Sequence, residues 1–417
     1  TSTSLLTVSG EVTGGKAVGG MIGLNLAPAL PAADIKVTEI SGTLCVGGVI
    51  GANMPVAAAG EDAFTIKETA TSGGTVSTFT TTAKAGRIKA DGLAGGIIGY
   101  NCLLASAPND LTTILPAVAE KTGLVTVNTL PRSGKEMTLN GAANQFNLEV
   151  NAYVGGIVGY NDAATRLTIS NATNGSDSNA ASVGSLKMRG ETGILGSGVS
   201  LREYKDRFNY DAYVSDKDAR GYMAGGIIGC VTQNTTLEGC TNYGIVSHKS
   251  AAGGIAGWND GSIKNCSTYA TLGTQQDGYA YLGGIVGINE AGGQVINCTF
   301  NGTVVATHYV GGIVGQNLGS ILQCVNQGGI NTVEIESSTD LDDLPDRQWN
   351  STENVPTSTD IGGITGYSSG IVQSCRNIGA VGYAHIGYNV GGIAGRQAGY
   401  LDGCTNEGLI LGRKDVG

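Results

Sequence analysis

The chain has 417 residues, of which 69 are Gly; 41% are hydrophobic and 14% charged, enough apolar content for a core and against general disorder. Its 24 Lys and Arg against 34 Asp and Glu give a net charge of −10, which argues against a general nucleic-acid binder. Pro is scarce at eight, Gly does not recur every third residue, and no run of about 18 apolar residues occurs, so collagen and a transmembrane helix are excluded.

In chain order, one six-residue phrase recurs: apolar, Gly, Gly, apolar, apolar, Gly. Its paired glycines are 19–20, 47–48, 95–96, 155–156, 225–226, 253–254, 283–284, 311–312, 362–363 and 391–392. The intervals are 28, 48, 60, 70, 28, 30, 28, 51 and 29 residues, so the base unit is about 28 and four units carry insertions. Asn follows two residues after the last Gly of the phrase in seven copies, from Asn25 to Asn317. Then comes a short apolar stretch ending at Cys240, Cys266, Cys298, Cys324, Cys375 or Cys404, with an aliphatic residue three before each. A third apolar stretch closes the unit, as in Val304-Val305.

Each unit reads as three short β-rich stretches separated by Gly and Asn corners. Runs of two to five apolar residues are too short for helices, and Gly-Gly is costly inside one. A single coil cannot bury its apolar side, but stacked coils can. The pattern predicts an all-β chain: a parallel β-helix or solenoid of ten or more coils. A right-handed, three-sided form is expected, the hand resting on the crossover rule. Ten coils make a rod of about 48 Å.

The fourth position of the phrase is Ile157, Ile227, Ile255, Ile285, Ile313, Ile364 and Ile393 among others, an even inner row. Gly permits a tight corner or a close wall. Asn suits left-handed corners and can bond amide to amide along the axis. The Cys row is expected in the core, as small apolar filling. The aliphatic-to-Cys spacing of three breaks strand alternation, so a bend lies between them or one faces out.

The repeat resembles the GLUG-motif family of bacterial surface and secreted proteins, which includes the stalks of some IgA-cleaving metallopeptidases. The family's Gly-Leu-x-Gly appears as Gly20-Met21-Ile22-Gly23, Gly156-Ile157-Val158-Gly159 and Gly284-Ile285-Val286-Gly287, with later Asn265-Cys266 and Asn297-Cys298. The likeness runs from about residue 18 to 412, apart from the insertions. It implies an extracellular or cell-surface bacterial protein whose repeats are scaffold.

The chain is treated as one solenoid domain, 1–417, with insertions at about 54–93, 102–153, 162–223 and 331–360. These have room to hide further coils; Leu124 to Val127 and Phe146 to Val150 look like strands. In the third insertion Leu201, Tyr204 and Phe208 fall at helical spacing, which predicts a short helix on the flank. Tyr210 and Tyr213 follow it. The fourth holds Asp340, Asp342, Asp343 and Asp346, read as a solvated loop. The chain opens at Thr1 without Met or a signal pattern and is read as a piece of something longer.

Chemistry-bearing residues are sparse. The nine Cys, an odd number without a Cys-x-x-Cys pair, suggest neither a disulfide framework nor a zinc site. His248, His308 and His385 precede the next glycine phrase and are expected at exposed corners; no His-Glu-x-x-His occurs. Aromatics supply the one surface signal. Tyr100, Tyr160, Trp258 and Tyr367 follow the glycine phrase and, if outward, form a discontinuous platform for sugar rings. With Tyr204, Phe208, Tyr210 and Tyr213 they are the candidate ligand contacts. No catalytic residue, metal site or cofactor is expected. The expected function is a non-enzymatic surface scaffold or adhesin segment, with glycans or host and cell-surface proteins as partners. A self-assembling filament or lattice subunit is the alternative, and a polysaccharide-active enzyme a lesser one. Neither nucleic-acid binding nor membrane insertion is expected.

Overall fold

The computed structural model describes residues 6–27, 33–56, 63–65, 80–81, 86–119, 125–177, 186–188, 223–247, 251–273, 280–306, 308–333, 359–384 and 386–417. These residues form a parallel β-solenoid without a helix.

One coil shows how the sequence builds it. Ala251–Gly253 is a strand of sheet I and Ala256–Asn259 a strand of sheet II. Ser262–Lys264 belongs to sheet III, and Ser267–Thr268 and Thr271–Leu272 to sheet IV. Each strand pairs in parallel with its copy in the next coil, as Ala256 with Val286 and Ile263 with Val295. Sheets I, II, III and IV hold 11, 10, 9 and 18 strands among the described residues. The coil thus has five short strands in four stacked sheets where three stretches were expected. The difference lies in the glycine phrase, which is itself a corner: sheet I ends on its first Gly and sheet II begins after its second.

Close approach is the reason for these glycines. A Cβ on Gly253 would stand 2.2 Å from the Ala256 carbonyl oxygen. A Cβ on Gly156 would stand 2.1 Å from the Gly226 oxygen of the next coil and 2.4 Å from Asn174 Cγ. No L side chain tolerates such distances. The next coil cannot withdraw, because the corner is hydrogen-bonded along the axis: Ile157 N donates to Ile227 O at 2.9 Å.

The interior is one continuous apolar cluster. Ile157, Ile227, Ile255, Ile285, Ile313 and Ile364 are fully buried in it; Ile393, in the last coil, is partly buried. Cys240, Cys266, Cys298, Cys324 and Cys375 form a second buried row, and Cys404 closes it partly exposed. Both the aliphatic residue and the Cys three later point inward: Ile263 and Cys266 are each fully buried. The bend between them is a single left-handed residue before the Cys, such as Asn265 (φ 53°), Asn297 (φ 51°) or Gln323 (φ 56°). Left-handed corners therefore fall there and not at the Asn that follows the phrase.

That later Asn has another task. Asn25 Nδ2 donates to Asn53 Oδ1, Asn53 to Asn101, and Asn101 to Asn161, each at 2.8 Å. The row stops at Val231 and resumes from Asn259 to Asn289 (2.7 Å) and Asn317 (2.8 Å). A second row starts two residues after the Cys position: Asn144 to Asn174 to Asn242, then Asn326 to Asn377 to Asn406. Apart from the exposed Asn406, these amides satisfy one another where water does not reach.

Long intervals hold no further coil among the described residues. Glu136–Asn140 and Asn147–Val150 are ordinary coil strands of sheets III and IV. Val125–Thr126 is a strand but pairs antiparallel with Ala117–Val118, off the solenoid ladders. The helix expected near 201–208 and the acidic stretch 340–346 lie outside the described residues.

Burial raises the thiol pKa of Cys45 and Cys324 far above the usual range, and pushes Cys102 up to about 12. A neutral aromatic disulfide reagent should therefore react first with Cys404 in the native chain. The seven that are at most 1% exposed, which leaves out Cys230, should label only on unfolding. Mass-mapped labelling checks this; early labelling at Cys298 or Cys324 would contradict the packed core.

Candidate functional site: the seam between sheets I and II

A second apolar cluster lies apart from the interior. It forms where the start of a sheet I strand meets the end of the following sheet II strand. Tyr153 and Tyr160 show the contact, their rings edge to face at 5.3 Å. Repeated in register, the sheet II side of this seam runs Leu24, Ala52, Tyr100, Tyr160, Cys230, Trp258, Ile288, Gln316, Tyr367 and Arg396.

The four candidates Tyr100, Tyr160, Trp258 and Tyr367 therefore share one column, but not one continuous platform. Tyr100 is fully buried and Tyr367 is 7% exposed, so neither offers an open face. Tyr100 stacks on Tyr160 at 6.4 Å and donates from its hydroxyl to Asp162 Oδ2 at 3.0 Å. The Arg396 guanidinium covers Tyr367 at 4.3 Å and pairs with buried Asp360 at 3.2 Å. Only Tyr160 and Trp258 are half-buried. Tyr204, Phe208, Tyr210 and Tyr213 lie outside the described residues.

Residues of the second insertion, 102–153, explain the burial of Tyr100. Leu104, Ile114, Val118 and Val125 pack over the seam beside Met54 and Leu93. Arg132 anchors this segment: its Nη2 meets Asp162 Oδ2 at 2.8 Å, with side chains 8% and 2% exposed. Sequence patterning missed this clamp, because neither residue repeats. It also missed Tyr153, Tyr281 and Tyr309, although each shows as a Tyr two before the paired glycines. Tyr281 and Tyr309 stack at 4.8 Å on the sheet I side.

Beyond the covered stretch the seam opens into a cleft of about 320 Å³. Tyr160 and Trp258 flank Cys230; Tyr153 and Val125 add apolar wall, and Thr232, Gln233 and Asp260 add polar groups. The Trp258 Nε1 donates to Glu290 Oε1 at 3.0 Å, which fixes the indole.

His308 corrects the expectation of an exposed corner. It lies in the sheet I strand His308–Gly311, 8% exposed, with Nδ1 3.4 Å from Thr359 Oγ1. His248 and His385 lie outside the described residues. Burial pulls the His308 imidazole from 6.5 down to about 4. The folded chain keeps it neutral while the unfolded chain takes a proton below 6.5. Its contribution is thus complete above pH 6.5 and is lost as the pH falls towards 4, up to about 3 kcal/mol. Urea melts at stepped pH should show this loss, and His308→Gln should flatten it.

No group of His, Cys, Asp or Glu among the described residues is arranged to hold a metal ion. Among the described residues no helix is long and apolar enough to cross a membrane. No curated protein and no solved structure matches the chain significantly. Residues 278–305 match the family model described as the GLUG motif. Its described part, residues 280–305, is one coil, running through the phrase at Gly283-Gly284 and the core Cys298 to Val305. The repeat resemblance read from the glycine phrase thus holds in the coil 278–305, which is a GLUG-motif coil.

Proposed function

We propose that the chain is a non-enzymatic extracellular scaffold of a bacterial surface, an adhesin segment whose insertions present ligand-binding loops. The supporting observation is register. Tyr153 pairs with Met223 and Gly155 with Gly225, although 70 residues separate the two corners. Val310 pairs with Ile361 across the insertion at 331–360 in the same way. Chain is thus added between strands without disturbing the stack, as a loop-bearing scaffold requires. The GLUG motif supports the bacterial extracellular setting. The buried carboxylates Asp162 and Asp360 are each engaged by an arginine, which supports binding over acid–base catalysis.

The test is binding to an array of glycans and matrix proteins in about 0.5 M salt, where weak surface charge effects are screened. We expect a saturable hit. Shortening 189–222 and 334–358 to the length of the 248–250 link should remove loop-borne binding and leave the melting transition in place. A blank array, or turnover of a polysaccharide, would sink the reading.

A second reading, self-assembly, is favoured by the last coil. Leu401, Leu409 and Val416 are 43%, 64% and 45% exposed, and Leu401 continues the buried column of Ile321 and Val372. An exposed apolar edge of this kind offers a second copy a surface on which to stack its own coil. Rods longer than about 48 Å in electron micrographs would support the second copy.

A further inference from the structure

We infer that the cleft between Tyr160 and Trp258 binds one ring of an uncharged saccharide. The inference rests on the scaffold reading and assigns it a ligand class and a site on the rod itself.

The walls come first. Tyr160 is held on two sides, by the Tyr153 edge at 5.3 Å and by the Tyr100 ring at 6.4 Å. Trp258 is held by its 3.0 Å bond to Glu290. Both rings are set before any ligand arrives, so little ordering cost falls on binding. They stand two coils apart in one column, about 10 Å. Between them the column carries only Cys230, a small side chain. The result is a slot with aromatic sides and a low floor.

The chemistry of the slot then selects its occupant. A pyranose has an apolar C–H face, which suits the negative face of an aromatic ring. Its hydroxyls need donors and acceptors at the edge, and Thr232, Gln233 and Asp260 supply both. Among the described residues no Lys or Arg lines the cleft, whereas Asp260 does, so an acidic sugar or a phosphate meets a like charge there. An extended peptide finds no open strand edge either. The strand Val158–Asn161 is paired with Ile98–Asn101 and Ile228–Val231, and Ala256–Asn259 with Ile228–Val231 and Val286–Asn289.

The protein offers its own reporter, since Trp258 and Trp349 are its two tryptophans. In a Trp349→Phe background, uncharged gluco-, manno- and galacto-oligosaccharides are titrated against the emission of Trp258. Galacturonate and glucosamine oligomers and an extended neutral peptide serve as comparison arms. We expect saturable quenching or enhancement by an uncharged oligosaccharide. Calorimetry should show binding weakened at least about tenfold by Tyr160→Ala and by Trp258→Ala. Cys230→Phe, which fills the slot, should abolish it. Tyr269→Ala, an exposed ring just after the sheet IV strand Ser267–Thr268, should leave it unchanged. If an alanine variant fails to fold by circular dichroism, the milder Asp260→Ala still reports a several-fold loss. Stronger binding of the acidic, amino or peptide ligand overturns the class. Saccharide binding that ignores all four variants overturns the site but leaves the scaffold reading standing. Silence across this panel overturns the site; a blank glycan and matrix array would be needed to overturn the scaffold reading as well.

Discussion

Gly156→Ala should cost about 3 kcal/mol or more of stability, read as a fall in the urea midpoint. The new methyl would stand 2.1 Å from the Gly226 carbonyl oxygen and 2.4 Å from Asn174 Cγ. One contact is backbone and the other is a side chain already fixed by two amide bonds, to Asn144 and Asn242. Neither can rotate away, so the corner must open and pull on the coils above and below. Gly134→Ala is the matched control, since a methyl there meets nothing within 4 Å. Its midpoint should stay within about 0.5 kcal/mol of the parent. Equal losses in both variants would show that the glycine phrase is not a steric requirement.

Asn289→Ala should be nearly as damaging, at about 2 to 4 kcal/mol. Asn289 is fully buried, accepts from Asn259 and donates to Asn317. Its removal takes the best acceptor from Asn259 and the donor from Asn317 inside a dry wall. Asn289→Asp sharpens the test. An ionised carboxylate would still accept from Asn259, but its second oxygen would face Asn317 Oδ1. The folded state then favours the protonated acid, raising its pKa above the ordinary value of about 3.9. The folded chain binds the extra proton, so the variant should regain stability relative to the parent as the pH falls. Asn301→Ala, at an exposed site, is the control and should be neutral. A pH-independent penalty in the Asp variant would show that the amide row is not the stabilising element.

What the sequence reveals here follows from periodicity. The Cys row and the Ile row repeat at fixed offsets from the phrase, so their burial is readable from spacing alone. The offset of three before Cys266 leaves a bend or an outward residue, because it cannot keep two side chains on one face of a flat strand; the burial of both Ile263 and Cys266 decides for the bend. The phrase itself misleads. Gly159 lies within a strand and packs against the Gly99 and Ala94 carbonyl oxygens, so a residue type that marks corners elsewhere here marks two backbones in contact. The seam is less readable still. Its sheet II column varies from Tyr to Cys to Gln, and the Arg132–Asp162 clamp joins residues that no repeat relates. His308 shows the same limit: its burial is set by its strand and not by its place before a phrase. Aromatic residues at one offset do share a column, yet only neighbours distant in sequence decide which rings stay open.

The buried amide rows have a direction. Every bond within them, from Asn25 to Asn161, Asn259 to Asn317, Asn144 to Asn242 and Asn326 to Asn406, runs from the earlier coil's NH2 to the later coil's oxygen. Aligned dipoles add, and neighbours in such a chain polarise one another. The rod is therefore an electrically oriented object, with hydrogen-rich and oxygen-rich poles like those of a helix but carried by side chains. Its coils can be extended in only one sense. A coil laid on either pole in reverse would set oxygen against oxygen or hydrogen against hydrogen, so lengthening of this rod, within one chain or between chains, is head to tail.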